Sequence, residues 1–504
     1  MSDETGCPAS RTRGSGSFSM RSLAHVTSVC LQLGRWIPLP VLLPVWGCVE
    51  QSGAVLGDTP MPPAPDPVPP LPSADQLAWQ TQELTAFLHF GMDTFTNQEA
   101  SDGGASPTLF NPTALDASQW MTTLQGAGFR EAMLTAKHPQ GFCLWPTKCT
   151  TYSVAASPWL GGQGDVVREF VDAAHQANIR VGLALSPADQ HDPTYGTPAY
   201  LYVFECELTE LLTNYGAVDE LWLWAEPPAP PGFDWDAIHT LAHELQPHTL
   251  VDVGNVNTSV GADVRSLGEA LAGPPGPTDQ TSVQVIPDAG NPTPSWYPAE
   301  TVYSIRPGWF WHAAEDTQLK TLPQLVGLYY DSVGRNSVLR LNVPPDTQGL
   351  LADPDVAEVG EYGAALRGIY QTNLAEAQPV SADSIFRNLP QYAPSMAVDG
   401  NVETFWAAAE GTTSARLEVD FSTAVTFNLV SIQEPIALGE RATQHHLEAK
   451  TNGIWSTIAS GTAIGERKLH RVGAVTSTGL ALVITEARAA PAISELGIYE
   501  SAFP

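Results

Sequence analysis

Between about residues 80 and 372, short apolar runs alternate with longer amphipathic stretches. The runs are TAFLHF (85–90), EAMLTA (131–136), RVGLALS (180–186), ELWLWA (220–225) and TLVDVG (249–254). Between them lie segments whose apolar positions follow a helical period, such as DVVREFVDAAHQAN (165–178) and YLYVFECELTELLTNYG (200–216). Units of this kind and length predict an α/β domain with a parallel sheet and right-handed crossovers. Their number favours a TIM-like (β/α)-barrel over an open doubly wound sheet. After NLAEAQPV (373–380) the helical period stops. Short alternating segments such as RLEVDFS, GIWSTIAS, GLALVITEA and ELGIYES follow, and they predict an antiparallel β-sandwich of jelly-roll type.

The first eighty residues have neither period. From Met20 the chain reads as a leader, with Arg21 and Arg35, then the apolar run WIPLPVLLPVW, then Gly47-Cys48. That run is too short for a permanent membrane span but suits a signal-peptide core. Its ending resembles a lipoprotein cleavage site, so the expected partner there is a membrane, reached through acylated Cys48. An exported location, in a bacterial envelope or outside the cell, follows from the same reading. The proline-rich stretch DTPMPPAPDPVPPLPS (58–73) is expected to be a stiff, extended tether. The resulting division is leader 1–48, linker 49–75, barrel 76–375 and sandwich 376–504.

Composition adds exclusions. Of 504 residues, 43% are hydrophobic and 14 are tryptophan, which a chain without packed cores would not carry. The net charge of −31 repels phosphate backbones, so nucleic acid is not an expected partner. No dinucleotide or P-loop fingerprint follows a strand, and no cofactor is expected. The cysteines at 7, 30, 48, 143, 149 and 206 form no CxxC pair, so they do not suggest a structural zinc, and no metal is expected in the site. Cys143 and Cys149 are close enough in sequence for a loop disulfide, though spacing alone does not establish one.

In a barrel the functional side chains sit at the C-terminal strand ends. The ends here carry His89, then Lys137 and His138, then Ser186–His191, then Trp224–Glu226. Several motifs in this region resemble those of the family 29 glycoside hydrolases, the retaining α-L-fucosidases, especially the α-1,3/1,4 branch. They include HFGMDTFTNQE (89–99), LTAKH (134–138), SPWLGGQGDVVREF (157–170), SIRPGWFWH (304–312) and YYDSVGRNSVLRLNVPPDTQGL (329–350). The resemblance implies a two-carboxylate mechanism on fucosylated oligosaccharides or glycans. It also implies His89, Glu99 and His138 as sugar ligands, and Glu269 in GADVRSLGEAL (261–271) as the acid/base.

The family's nucleophile is the Asp of a Trp-Phe-Asp-Gly stretch, which here reads Trp222-Leu223-Trp224-Ala225. An indole cannot form the glycosyl ester. Glu226 lies two residues on, where a continued strand would share its face, but prolines follow it. Other family ligand positions are Ala100, Pro139, Gln140, Ala184, Ala188, Gln190 and Val302, most of them smaller or less polar than the family residue. Two expectations follow: a fucosidase of altered activity, or a carbohydrate-binding protein without turnover on the same scaffold. In the C-terminal region MAVDGNVETFWAA (396–408) resembles the opening of discoidin-type, galactose-binding-like domains. Trp406 and Trp455 are its candidate glycan platforms, with core packing as the alternative for each.

Overall fold

The computed structural model describes residues 64–223, 233–253, 263–269, 279–285 and 294–503. The leader with Cys48, and both Trp224 and Glu226, lie outside the described residues.

Eight strands form one parallel sheet: β1 (Leu84–Leu88), β2 (Glu131–Lys137), β3 (Arg180–Leu185), β4 (Glu220–Trp222), β5 (Leu250–Asp252), β6 (Arg265–Glu269), β7 (Ala299–Ser304) and β8 (Ser337–Asn342). Their spatial order is β5-β4-β3-β2-β1-β8-β7-β6. Every residue of β1 and β2 is buried, as expected for strands covered on both faces. The helices between them use ordinary start signals. Asp165 accepts a hydrogen bond from Arg168 N at 2.9 Å and opens helix Val166–Gln176. That helix buries Val166, Val167, Phe170, Val171 and Ala174 along one stripe. Removing a side chain such as Phe170 from water contributes roughly 1.5–3 kcal/mol.

Among the described residues no ladder joins the edge strands β5 and β6, so the sheet is a curled half-barrel. They are connected through Asp263. Its N–H donates to Val251 O, and its carboxylate accepts from Val251 N, both at 2.8 Å.

The C-terminal region is an antiparallel sheet built on two long strands, Ala415–Gln433 and Lys468–Ala487. The first has register shifts between Asp420 and Val425 and between Phe427 and Leu429. Its early part pairs with Val380–Ala382 and its late part with Glu495–Tyr499. Trp406 is fully buried in this domain's core, donating to Ser384 O at 3.1 Å. Trp455 is not in the core: its ring is part-exposed, with the Arg416 guanidinium 4.7 Å and the Lys450 ammonium 5.3 Å from its centroid.

This domain docks on the barrel's N-terminal rim, away from the strand ends that carry the candidate site. Glu440 accepts hydrogen bonds from Asn336 Nδ2 (2.7 Å), Ser282 N (2.8 Å) and Thr281 Oγ1 (2.5 Å). Glu83, directly before β1, pairs with Arg467. Gly465 is required at this junction, because a Cβ there would lie 2.2 Å from the Asn336 side chain.

One expectation is corrected here, and one open pairing is decided. The end of the proline-rich stretch is not a free spacer: Val68 N donates to Leu438 O (2.9 Å), and Asp66 O and Pro69 O accept from Arg441 and Arg488. The disulfide does not close the short 143–149 loop either. Cys149 pairs with Cys206 on helix Tyr200–Asn214, while Cys143 is free and buried. A bridge needs facing Cβ vectors rather than short spacing, and the helix supplies them.

Candidate active site

The C-terminal ends of β1 and β2 place His89 and His138 side by side, their rings 5.1 Å apart and perpendicular. Each is fixed by its surroundings. His89 Nδ1 meets Thr135 Oγ1 at 2.9 Å, and its backbone N–H donates to Asn342 Oδ1 at 3.2 Å. His138 Nδ1 lies 3.1 Å from Asp93 Oδ2. Phe310 wedges against both rings, at 4.4 Å from His89 and 5.0 Å from His138. Burial, and then the neighbouring His138, holds the His89 pKa well below its ordinary value, so His89 is a neutral imidazole. A neutral ring can donate from one nitrogen and accept at the other, which suits a sugar hydroxyl.

Asn342, at the end of β8, is the hub of this corner. Besides accepting from His89 N, it donates to Ser304 Oγ (2.9 Å) and to Trp309 O (2.8 Å). Trp309 therefore sits beside the histidines, its ring 6.4 Å from His89.

Glu99, on the loop after β1, packs against the loop carrying Trp309. Its carboxylate accepts from the N–H groups of Trp309 (2.8 Å) and Phe310 (3.2 Å) and meets His312 Nε2 at 2.6 Å. Gly308 permits this approach, since a Cβ there would stand 2.5 Å from Glu99 Oε1. Arg306 anchors the far side of the loop through Asp355 (3.0 Å) and Asp316 (2.8 Å). Burial raises the Asp355 pKa to about 6, against the pull of Arg306.

The altered positions Ala184 and Val302 meet in one apolar cluster with Phe87, Met133 and Trp222, and Trp309 packs over it. The floor of the mouth is thus apolar on that side. Beneath it lies fully buried Arg340, whose Nη2 is 2.5 Å from Glu220 and 2.9 Å from Glu300. Burial and the adjacent Glu220 push the Glu131 pKa up in this group. Gln140 is buried and accepts from Phe142 N at 2.5 Å, closing its own turn.

Lys137 points away from the histidines into a buried ion-pair group with Glu207 (2.5 Å) and Asp189 (3.3 Å). Burial opposes its charge, but these carboxylates and Tyr200 hold its pKa well above the usual value. Asp189 also accepts from His191 N (3.0 Å) and Asp192 N (2.9 Å).

Glu269 is the last residue of β6, in register with Val302 of β7, which puts its backbone on the same rim. His89, His138 and Glu99 thus gather around the 304–312 loop. Asp93, Thr135, Asn342 and Phe310 complete this corner. Sequence reasoning did not single them out, although each falls in or beside a motif already quoted.

The α-L-fucosidase family profile matches residues 74–367, and the F5/8 type C domain profile matches residues 380–488. Alpha-L-fucosidase 1 of Arabidopsis thaliana is 39% identical over 465 residues, 88% of this chain and 90% of the plant protein. A glycoside hydrolase 29 family member from an unknown rumen bacterium aligns at TM-score 0.75 and 32% identity, over 86% of this chain and 78% of that one. A Ruminococcus gnavus GH29 fucosidase in complex with fucose aligns at TM-score 0.79 and 29% identity, over 88% and 97%. A variant of that enzyme with one aspartate changed to alanine, also in complex with fucose, aligns equally well.

Proposed function

The chain belongs to the α-L-fucosidase family, and from that premise we propose that its barrel mouth takes the fucosyl end of a glycan for retaining hydrolysis. The observation that carries this reading is the anchored pair His89 and His138 beside Trp309. Two imidazoles of fixed direction offer hydrogen bonds to ring hydroxyls, and an indole gives the apolar face of a deoxysugar a surface to lie on.

In such hydrolysis a carboxylate attacks the anomeric carbon while a second carboxyl protonates the departing oxygen. Water, deprotonated by that second group, then releases the sugar with its configuration retained. Glu269 takes the acid/base part in this scheme, supported by its position at the end of β6.

Trp224 favours a second reading, in which the site binds fucosyl groups without turning them over. Three described carboxylates at this mouth are engaged by other groups: Asp93 by His138, Glu99 by the 309–312 backbone and His312, and Asp189 by Lys137. None of these offers an obvious replacement nucleophile. In the R. gnavus enzyme, fucose is bound even where an aspartate is alanine.

Titration with L-fucose, beside assays on an aryl α-L-fucoside and a fucosylated oligosaccharide, tests both readings. Turnover by the natural sequence supports the first, and binding without turnover supports the second. Fucose affinity unchanged in His89→Ala and His138→Ala would place the sugar elsewhere. Export with acylation at Cys48 is a separate proposal, resting on the apolar run and Gly47-Cys48; loss of membrane association in Cys48→Ser tests it.

A further inference from the structure

A second cluster of ligand-bearing side chains lies outside the barrel mouth. Helix Trp235–Leu245 carries His239 and His243, four residues apart and so on one face. Asp263 stands opposite them, at the junction of β5 and β6. His239 Nε2 and His243 Nε2 are 3.1 Å apart, and Asp263 Oδ2 is 3.2 Å from His243 Nε2 and 3.8 Å from His239 Nε2.

We propose that His239, His243 and Asp263 form a binding site for a divalent transition ion of the zinc class. Bonds of about 2.0–2.1 Å in tetrahedral directions separate ligand atoms by roughly 3.3 Å. The three observed separations bracket that value, and all three atoms can present a lone pair to one point. Two imidazoles and one carboxylate select zinc-class ions over magnesium or calcium, which prefer all-oxygen shells.

The supporting shell is also present. Asp263 is held by Val251 N at its carboxylate (2.8 Å) and by Gln76 Nε2 at its carbonyl (2.7 Å). The three side chains are 25–29% exposed, so an ion can enter and water can complete the shell.

The buried pair His445 and His470, with Nε2 atoms 2.8 Å apart, is the contrast. There His445 Nδ1 faces Thr462 O at 2.9 Å, and that pair belongs to no three-ligand group among the described residues. Binding at the 239/243/263 site would tie the helix to β6, the strand ending in Glu269, so the ion's role is structural.

The test uses full-chain protein stripped with a chelator, then titrated with Zn²⁺ by calorimetry and with Co²⁺ by visible absorption. One Zn²⁺ per chain is expected, with a Tm that rises with free Zn²⁺. Affinity should fall at least tenfold in His239→Ala and in His243→Gln, with circular dichroism confirming that each variant folds. His239→Ala is the milder change, because the described contacts of that ring are to His243 and Asp263. Substoichiometric binding, or binding retained in both variants, overturns the proposal. So does binding that survives in them and disappears in His470→Gln.

Discussion

The carboxylate of Glu99 accepts the backbone N–H of Trp309 at 2.8 Å, so an acidic residue on the loop after β1 fixes the position of an indole on the loop after β7. The same carboxylate takes Phe310 N and meets His312 Nε2. Hydrogen bonds to a charged acceptor contribute about 1.5–3 kcal/mol each. Glu99→Gln keeps the shape but loses the charge and one acceptor oxygen. L-fucose affinity should fall by roughly tenfold or more, by the conversion of 1.4 kcal/mol per decade, and Tm should fall modestly, since the same bonds hold the two loops together in the unliganded protein. Calorimetric titration and the Trp fluorescence maximum check this.

Trp224→Asp restores a carboxylate at the position where the family keeps its nucleophile. Removal of a catalytic nucleophile elsewhere costs on the order of 10⁴-fold or more in rate. Aryl α-L-fucoside hydrolysis by Trp224→Asp should therefore exceed that of the natural sequence. Equal rates near background would mean that Ala184, Val302 and the other altered positions suffice to block the chemistry. Single-turnover release of the aryl group is the measurement.

The disulfide between Cys149 and Cys206 spans 57 residues of sequence and clamps the loop after β2 to a helix. Cys206→Ser should lower stability by about 2–4 kcal/mol, seen as a lower Tm and a lower urea midpoint. Cys143 is buried, and burial, then Glu207, raises its thiol pKa well above the ordinary value. It should resist maleimide in the folded protein and react after unfolding.

Burial lowers the His445 pKa to about 4 and holds His470 well below its ordinary value. The unfolded chain takes up protons at both near pH 6.5, whereas the folded chain does so only at lower pH. The stability these two contribute is therefore present above pH 6.5 and lost as pH falls toward about 4. Tm should decline across that window, and His470→Gln should make the decline shallower. Differential scanning fluorimetry over pH 4–7.5 decides it.

Much of this protein could be read from local pattern. The runs at 85–90, 131–136 and 180–186 are β1, β2 and β3, because strands buried on both faces must be apolar along their length. His89 and His138 were legible as strand-end residues for the same reason, and Trp224 was legible as a substitution within a motif. What only the tertiary structure decided are relationships between distant segments. The partner of Cys149 is on a helix well downstream, since a disulfide depends on Cβ geometry and not on spacing. Asn342 could not be seen to orient both His89 and Trp309 until β8 lay beside β1. His239 and His243 already show helical spacing in the sequence, but Asp263 joins them only where β5 meets β6. The sandwich covers the N-terminal rim through Glu440 and Arg467, leaving the opposite end of the barrel, with the candidate site, to the strand-end loops, and nothing in the order of the residues states which rim that would be.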